Sequence, residues 1–297
     1  MSRGGWIASG VLALIVLACL LAPIYARLVS GTDPFRSNPS GTVAGSPVLA
    51  EDAGLGVTPI GPGWRGAYLL GADQLGRDVA ARLLYGGRNS LLIAGVATAL
   101  CLALALGAGV AAGFLGGAID AGLSALLDLL WAFPVYLLAI SLAIVLISEG
   151  VRLGPVTIEA DSLMLPILIL GLVYVPYVAR PIRAEVVALR KGELVQAAVA
   201  TGGSRAHILR RHLLPLVWPT LIAFAPIVAA MTLLTEAALS VLGIGVQPPE
   251  ASWGTLIADG QTLIYTRPWV ALAPGLAIVA TVLALNVVGE AAQVRRA

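Results

Sequence analysis

Two carboxylates stand where carboxylates are costly. Asp128 lies in the apolar run 121–148 and Glu236 in the apolar run 216–242. A charge at the centre of a membrane helix costs roughly 2.5–3.5 kcal/mol or more, so such groups face a protein interior or an aqueous path. Each could line a pathway through the membrane and receive a cationic group. Each could equally be a structural hydrogen-bonding partner. Other chemistry is scarce. His207 and His212 are five residues apart, not at the i, i+4 spacing of a helical zinc pair, so no metal site is expected. Both histidines fall in one polar segment, and no Ser/His/Asp set can be assembled around them. The one lysine, Lys191, follows Arg190, so the Gly-Lys-Ser/Thr loop that cradles nucleotide phosphates is absent. Gly109 and Gly113 have small-xxx-small spacing inside an apolar run, which favours close helix contact.

The segment that carries those histidines is the most informative in the chain. It reads ELVQAAVATGGSRAHILRRHLLP over residues 193–215. Glu193 to Thr201 suits a short Ala-rich helix. Gly202 and Gly203 break it and permit positive φ. Ser204 can cap a second helix, with Ile208 and Leu209 on one face and Arg205, Arg210 and Arg211 on another. Pro215 marks the entry to the next apolar run. The product is a helix–turn–helix elbow with an apolar edge, a shape that fits a groove on a partner protein. A plain solvated basic loop is the alternative.

The elements that must position these residues follow from composition. Of 297 residues, 59% are hydrophobic and 11% charged, with a mean hydropathy of +0.93. Soluble chains carry about 25% charge, and one soluble core cannot enclose so much apolar material. Cys19 and Cys101 both lie in apolar runs, which argues against a disulfide scaffold. An all-α integral membrane protein remains. Six runs reach the ~20 residues that span a bilayer as helix: 6–26, 91–114, 121–148, 163–178, 216–242 and 270–288. They are continuously apolar, unlike the period-two strands of a membrane barrel. Seven of the eighteen basic residues fall between Arg180 and His212. The positive-inside rule therefore assigns that loop to the cytoplasm, with both termini inside.

The expected organisation is a first transmembrane anchor (1–26), an external loop (27–90), a membrane core (91–290) containing the elbow (193–215), and a cytoplasmic tail (291–297). Residues 30–66 are rich in Gly, Pro, Ser and Thr and read as an exposed, poorly ordered loop; a small folded cap is the alternative. Residues 73–89 suggest a short amphipathic helix on the membrane surface. Trp253, Tyr265 and Trp269 suggest an external aromatic belt. Pro134 and Pro176 are placed to kink the third and fourth spans.

Several motifs together resemble one family. Gln196-Ala197-Ala198-x₃-Gly202, followed after eleven residues by Leu214-Pro215, looks like the EAA loop of permease subunits of bacterial ABC importers. Residues 70–78, LGADQLGRD, are similar to the LGTDxxGRD motif of the dipeptide, oligopeptide and nickel branch. Arg82, Tyr85-Gly86 and Arg88-x-Ser90-Leu91 continue the match. Asp128 with Ala132-Phe133-Pro134 resembles its DxxxAFP. Glu236-Ala237-Ala238-Leu239-Ser240, the run from Leu242 to Pro249 and Ser252-Trp253-Gly254 resemble its fifth-span signature. Gln196 departs from the family's Glu, which leaves coupling by packing intact but removes an ion pair.

The resemblance implies a type I ABC importer transmembrane fold with six helices, N-in and C-in, and cytoplasmic coupling helices. It implies half of a pore in the bacterial inner membrane, used for di- or oligopeptide uptake, with nickel or another small solute as the alternative cargo. Its expected partners are a second permease in a heterodimer, two cytoplasmic ABC ATPases that hold ATP and Mg²⁺, and an external solute-binding protein. Gln196, Ala197, Ala198, Gly202, Leu214 and Pro215 would couple to the ATPases. No enzymatic activity, bound cofactor or nucleic acid is expected. A proton-coupled carrier working through Glu236 and Asp128 is the reading from a different class.

Overall fold

The computed structural model describes residues 3–43, 45–52, 56–63, 66–149, 151–153, 156–158 and 162–294. The described part is mostly helical. Helix α1 (Arg3–Leu20) breaks at Leu21 and continues as α2 (Ala22–Tyr25), which ends in a π-helical turn, Ala26–Ser30. Helix α3 (Val79–Leu115) has 37 residues, a length of about 55 Å at 1.5 Å per residue. Then come α4 (Gly117–Ala132), α5 (Val135–Glu149), α6 (Met164–Val173) and α7 (Val175–Arg190). The elbow is α8 (Glu193–Ala200) and α9 (Arg205–Ile208). A π-helical turn, Leu209–Leu213, joins α9 to α10 (Leu214–Val241), and α11 (Trp253–Gly260) and α12 (Trp269–Val294) close the chain.

Among the described residues three helices, Val79–Leu115, Arg205–Val241 and Trp269–Ala291, are long and apolar enough to cross a membrane. Three bent pairs bring the total to six if each is one span. The bends have local causes. Phe133 precedes Pro134 and is extended at φ −90°, ψ 137°, as the proline ring demands of its predecessor. Helices α4 and α5 consequently meet at 93°, so the apolar run 121–148 is two helices and not one straight rod. The α6–α7 pair bends by 40° at Tyr174, next to Pro176 in the first turn of α7.

Helix α3 is the central post. In lipid, apolar burial does not drive helices together; close backbone approach and hydrogen bonding do. Gly109 and Gly113 provide that approach. A Cβ on Gly109 would sit 2.8 Å from the Ala179 carbonyl oxygen, and one on Gly113 would sit 2.8 Å from Val186 Cβ. The expected small-xxx-small contact is thus made with α7. Around this seam Cys101, Ala105, Val178, Ile182, Val186, Val217 and Val228 form the largest buried cluster.

Two sequence expectations need correction. Residues 30–66 are not a poorly ordered loop in their described part; the alternative, a small folded cap, fits their strands. Strands β1 (Thr42–Val43) and β2 (Ser46–Pro47) pair, as do β3 (Leu49–Asp52) and β4 (Gly56–Pro59). Val48, Tyr68 and Ala72 form a small buried core beneath them. Strands of two to four residues are too short to show a period against a Gly/Pro/Ser background. The segment 73–89 is not a separate surface helix either. Residues 73–78 form a loop, and Asp78 caps α3 by accepting hydrogen bonds from Ala80 N (2.9 Å) and Ala81 N (3.1 Å). The remainder is the first part of α3. A third hairpin, β5 (Val151–Leu153) with β6 (Val156–Ile158), follows α5. The expected tail beyond Val294 lies outside the described residues.

Candidate functional site

The elbow is built as its residue types require. Helix α8 starts after Gly192 and stops at Thr201. Gly202 follows at φ +81°, and Ser204 Oγ caps α9 by accepting from His207 N at 3.3 Å. Val195, Ile208 and Leu213 bury themselves in a small core that holds α8 against α9. The outer edge stays uncovered: Leu194 is 55% exposed and Val199 59%. Between the two helices lies a cavity of about 570 Å³, lined by Leu194, Ala197, Ala198, Gly202 and His207 among others. Gln196 is exposed, and its Nε2 donates to the Lys191 carbonyl oxygen at 3.0 Å, which ties α8 back to the end of α7. A Cβ on Gly202 would meet nothing within 4 Å, whereas one on Gly203 would meet the Ala198 carbonyl oxygen at 2.7 Å. Gly203 is therefore the residue the elbow needs sterically, while Gly202 borders open space. Leu214 and Pro215 open α10, and α9 runs into it without a break.

Glu236 and Asp128 are not brought together. Glu236 is fully buried where α3, α10 and α11 meet. Its Oε2 accepts from Ser90 Oγ at 3.0 Å and its Oε1 from Ser240 Oγ at 2.7 Å. Each serine in turn accepts from a backbone amide: Ser90 from Trp253 N (3.0 Å) and Ser240 from Val246 N (3.1 Å). Two relays thus run from backbone N–H through a hydroxyl to one carboxylate oxygen each. The close packing depends on glycines. A Cβ on Gly254 would press on the Ala237 carbonyl oxygen at 2.6 Å, and one on Gly86 would lie 3.0 Å from the Ser252 backbone. Glu236 works here as a latch between three helices, with no surface open to a path in this conformation.

Asp128 is different. It projects from α4, with a side chain 68% exposed, and receives Arg180 Nη2 of α7 at 2.6 Å. One helical turn further along α7, Arg183 grips Asp120 with two bonds of 2.5 and 2.7 Å, and Ser124 donates to the same carboxylate at 3.1 Å.

A further polar centre went unrecognised at the level of sequence. Asp73, Arg77 and Arg82 join Asp259 of α11: Arg77 Nη2 and Arg82 Nη2 reach Asp259 Oδ2 at 2.9 and 3.0 Å, and Arg77 Nε reaches Asp73 at 2.7 Å. Asp78, fully buried, also accepts from Ser30 Oγ (2.5 Å) and Tyr68 N (2.8 Å). The Gly-Arg-Asp at 76–78 was the available signal. It fastens residues 31–78 to the bundle. Burial pushes the Tyr68 phenol up from its ordinary value. Trp253 is also corrected. It is 1% exposed and donates from Nε1 to the Leu83 carbonyl oxygen at 3.0 Å, so it is a packing residue and not part of an aromatic belt. Tyr265 and Trp269 are exposed.

Comparison with known proteins agrees with this layout. The family model for the binding-protein-dependent transport system inner membrane component matches residues 103–295. The dipeptide transport system permease protein DppC of Alkalihalophilus pseudofirmus is 31% identical over 93% of this chain and 81% of its own length. A Brucella ovis protein named as a peptide permease is 35% identical over 82% of this chain and 76% of its own. Among solved structures, the inward-facing MetNI methionine ABC transporter shares the fold, with a TM-score of 0.55 and 19% identity over 70% of this chain and 93% of that one. With the buried latch, the elbow and a family match across most of the apolar core in hand, the chain is placed: it belongs to the inner membrane components of binding-protein-dependent transport systems.

Proposed function

We propose that the chain forms one half of an ATP-driven pore that imports di- and oligopeptides. The observation that carries this reading is the elbow. Its apolar edge and open cavity suit insertion into a groove of a partner, and α9 continues directly into the membrane helix α10. A push on the elbow therefore reaches the span without passing through a loop. The dense basic charge around it favours a cytoplasmic position, which places residues 31–78 outside, where a solute-binding protein delivers cargo. Two ATPase subunits, which themselves hold ATP and Mg²⁺, dock at the elbows of this chain and of a second, non-identical permease. Gln196, Ala197, Ala198 and Gly202 meet the ATPase, and Leu214 and Pro215 pass the motion on. The relatives, named as dipeptide and peptide permeases, favour peptides over nickel as cargo.

The test is the ratio of uptake to ATP hydrolysis in the complete reconstituted transporter. Gly202→Val puts a branched side chain at φ +81° and into the open space beside α8. Peptide uptake per ATP hydrolysed should fall at least tenfold. An unchanged ratio would refute the coupling role.

A further inference from the structure

The face formed by α4 and α7 carries four charges that the elbow and the latch do not use: Asp120, Asp128, Arg180 and Arg183. They lie on helices that form bent spans. A charge inside an apolar run, as Asp128 is in 121–148, faces the interior of an assembly or a water-filled cavity, and the other three charges continue the same face toward the end of the run. Here they sit on the outside of this chain, so the face they mark is the one turned toward the second permease and the pore. Their two pairs are built differently. Asp120–Arg183 is a bidentate clamp reinforced by Ser124, as a fixed anchor would be. Asp128–Arg180 is a single contact of 2.6 Å with both side chains exposed, at 68% and 39%. Arg180 has a second support, since its guanidinium carbon stands 5.2 Å from the centre of the Trp131 ring. Trp131 stacks on Tyr177, which meets Phe224 edge-on. Arg180 can therefore release Asp128 and keep its place by a cation–π contact. A cavity of about 320 Å³ opens beside the pair, lined by Ser124, Leu127, Asp128, Arg180 and Arg183. That volume is within the ~300–1,000 Å³ of small-ligand sites.

Resting on the reading of the chain as half of a peptide pore, we infer that Asp128 and Arg180 form a charge-exchange site for zwitterionic peptides. The cargo's carboxylate takes the place of Asp128 on Arg180, and its ammonium takes the place of Arg180 on Asp128. The aromatic row receives the apolar part of the cargo. One ion pair becomes two and no charge is left alone. When the pore is empty the two residues neutralise each other, so the passage presents no bare charge to small ions. Cargo with both a positive and a negative end opens the pair with full compensation; cargo with one charge strands a partner.

The experiment is uptake of a labelled dipeptide by proteoliposomes that contain the complete transporter and its binding protein. Co-elution of all subunits checks assembly. Arg180→Gln should lower uptake at least tenfold. The neutral double variant Asp128→Asn with Arg180→Gln decides between contact and scaffold. It leaves no unpaired charge and keeps a polar, hydrogen-bonding pair at both positions, so a purely structural pair would tolerate it and uptake would return to the wild-type level. The exchange site requires both charges, and uptake should stay at least tenfold low. Recovery in the double variant overturns the inference and leaves the importer reading intact. Absence of ATP-dependent peptide uptake by the wild-type complex overturns the importer reading itself.

Discussion

Replacing Glu236 by Gln is a small change in shape and a large one in hydrogen-bond logic. Ser90 and Ser240 both spend an acceptor position on a backbone amide, from Trp253 and Val246 respectively. Each hydroxyl then has one proton to give, and the geometry sends it to a Glu236 oxygen. Both oxygens must therefore accept. An amide offers one acceptor and one donor group. Whichever way the introduced amide is turned, an NH₂ faces a hydroxyl, and that hydroxyl either points its proton at a donor or turns it toward apolar surroundings. One buried polar group without a partner costs about 1–3 kcal/mol. In a large domain a kcal/mol moves Tm by about 2–4 °C, so the variant should melt about 2–12 °C lower. Ser90→Ala strands the Trp253 amide and one carboxylate oxygen together, for roughly 2–6 kcal/mol by the same count. Because both substitutions act on one network, the double variant should lose less than the sum of the two. Thermal unfolding of the detergent-solubilised protein, followed by tryptophan fluorescence, reads all three. A Glu236→Gln variant that melts with the wild type would show that the relays are not the reason Glu236 is buried there.

Other expectations concern the seams and residues 31–78. Gly113→Leu drives a side chain into Val186 and the Arg183 carbonyl on α7; overpacking of this kind costs about 1–3 kcal/mol or more, visible as reduced yield of folded protein in detergent. Asp259→Asn weakens the charged bonds from Arg77 and from buried Arg82, each worth about 1.5–3 kcal/mol, and should increase protease cleavage within residues 31–78. Tyr68 sets an alkaline limit. Its phenol is raised above the ordinary value of 10.0 by burial, so its contribution to stability is complete below that value and is lost as pH rises through the raised one. A pH series of thermal melts should show a fall beginning above about pH 10, smaller in Tyr68→Phe.

What the sequence reveals depends on the scale of the pattern. Apolar runs of twenty residues announce membrane helices whatever their neighbours are. The elbow is equally readable, because Gly202, Ser204 and Pro215 act through local backbone rules that need no tertiary contact. Pro134 announces a break but not its size, since a proline bars helical backbone at Phe133 without dictating the 93° angle that results. The fold of residues 31–78 is hidden because its core is three residues, Val48, Tyr68 and Ala72, in a background of turn-forming types. Glu236 is legible as unusual and illegible as a latch. Its partner Ser90 lies 146 residues before it on α3, and Trp253 stands on the separate helix α11. Spacing along one helix reveals only Ser240.

The unbroken run from Arg205 to Val241 is a cantilever. Its far end is clamped by the Glu236 relays, and its near end carries the elbow. Pro215, Pro219 and Pro226 all fall in the near part of α10, and each interior proline removes a rung of the helical hydrogen-bond ladder. Bending stiffness is thus graded along the beam, soft toward the elbow and rigid at the clamp. Displacement at the elbow is absorbed as curvature around the prolines before it reaches Glu236. Over a rigid helix of about 55 Å, a tilt of about 10° would swing the far end by about 10 Å; a clamped, graded beam keeps that sweep at the elbow side and leaves the clamped end still.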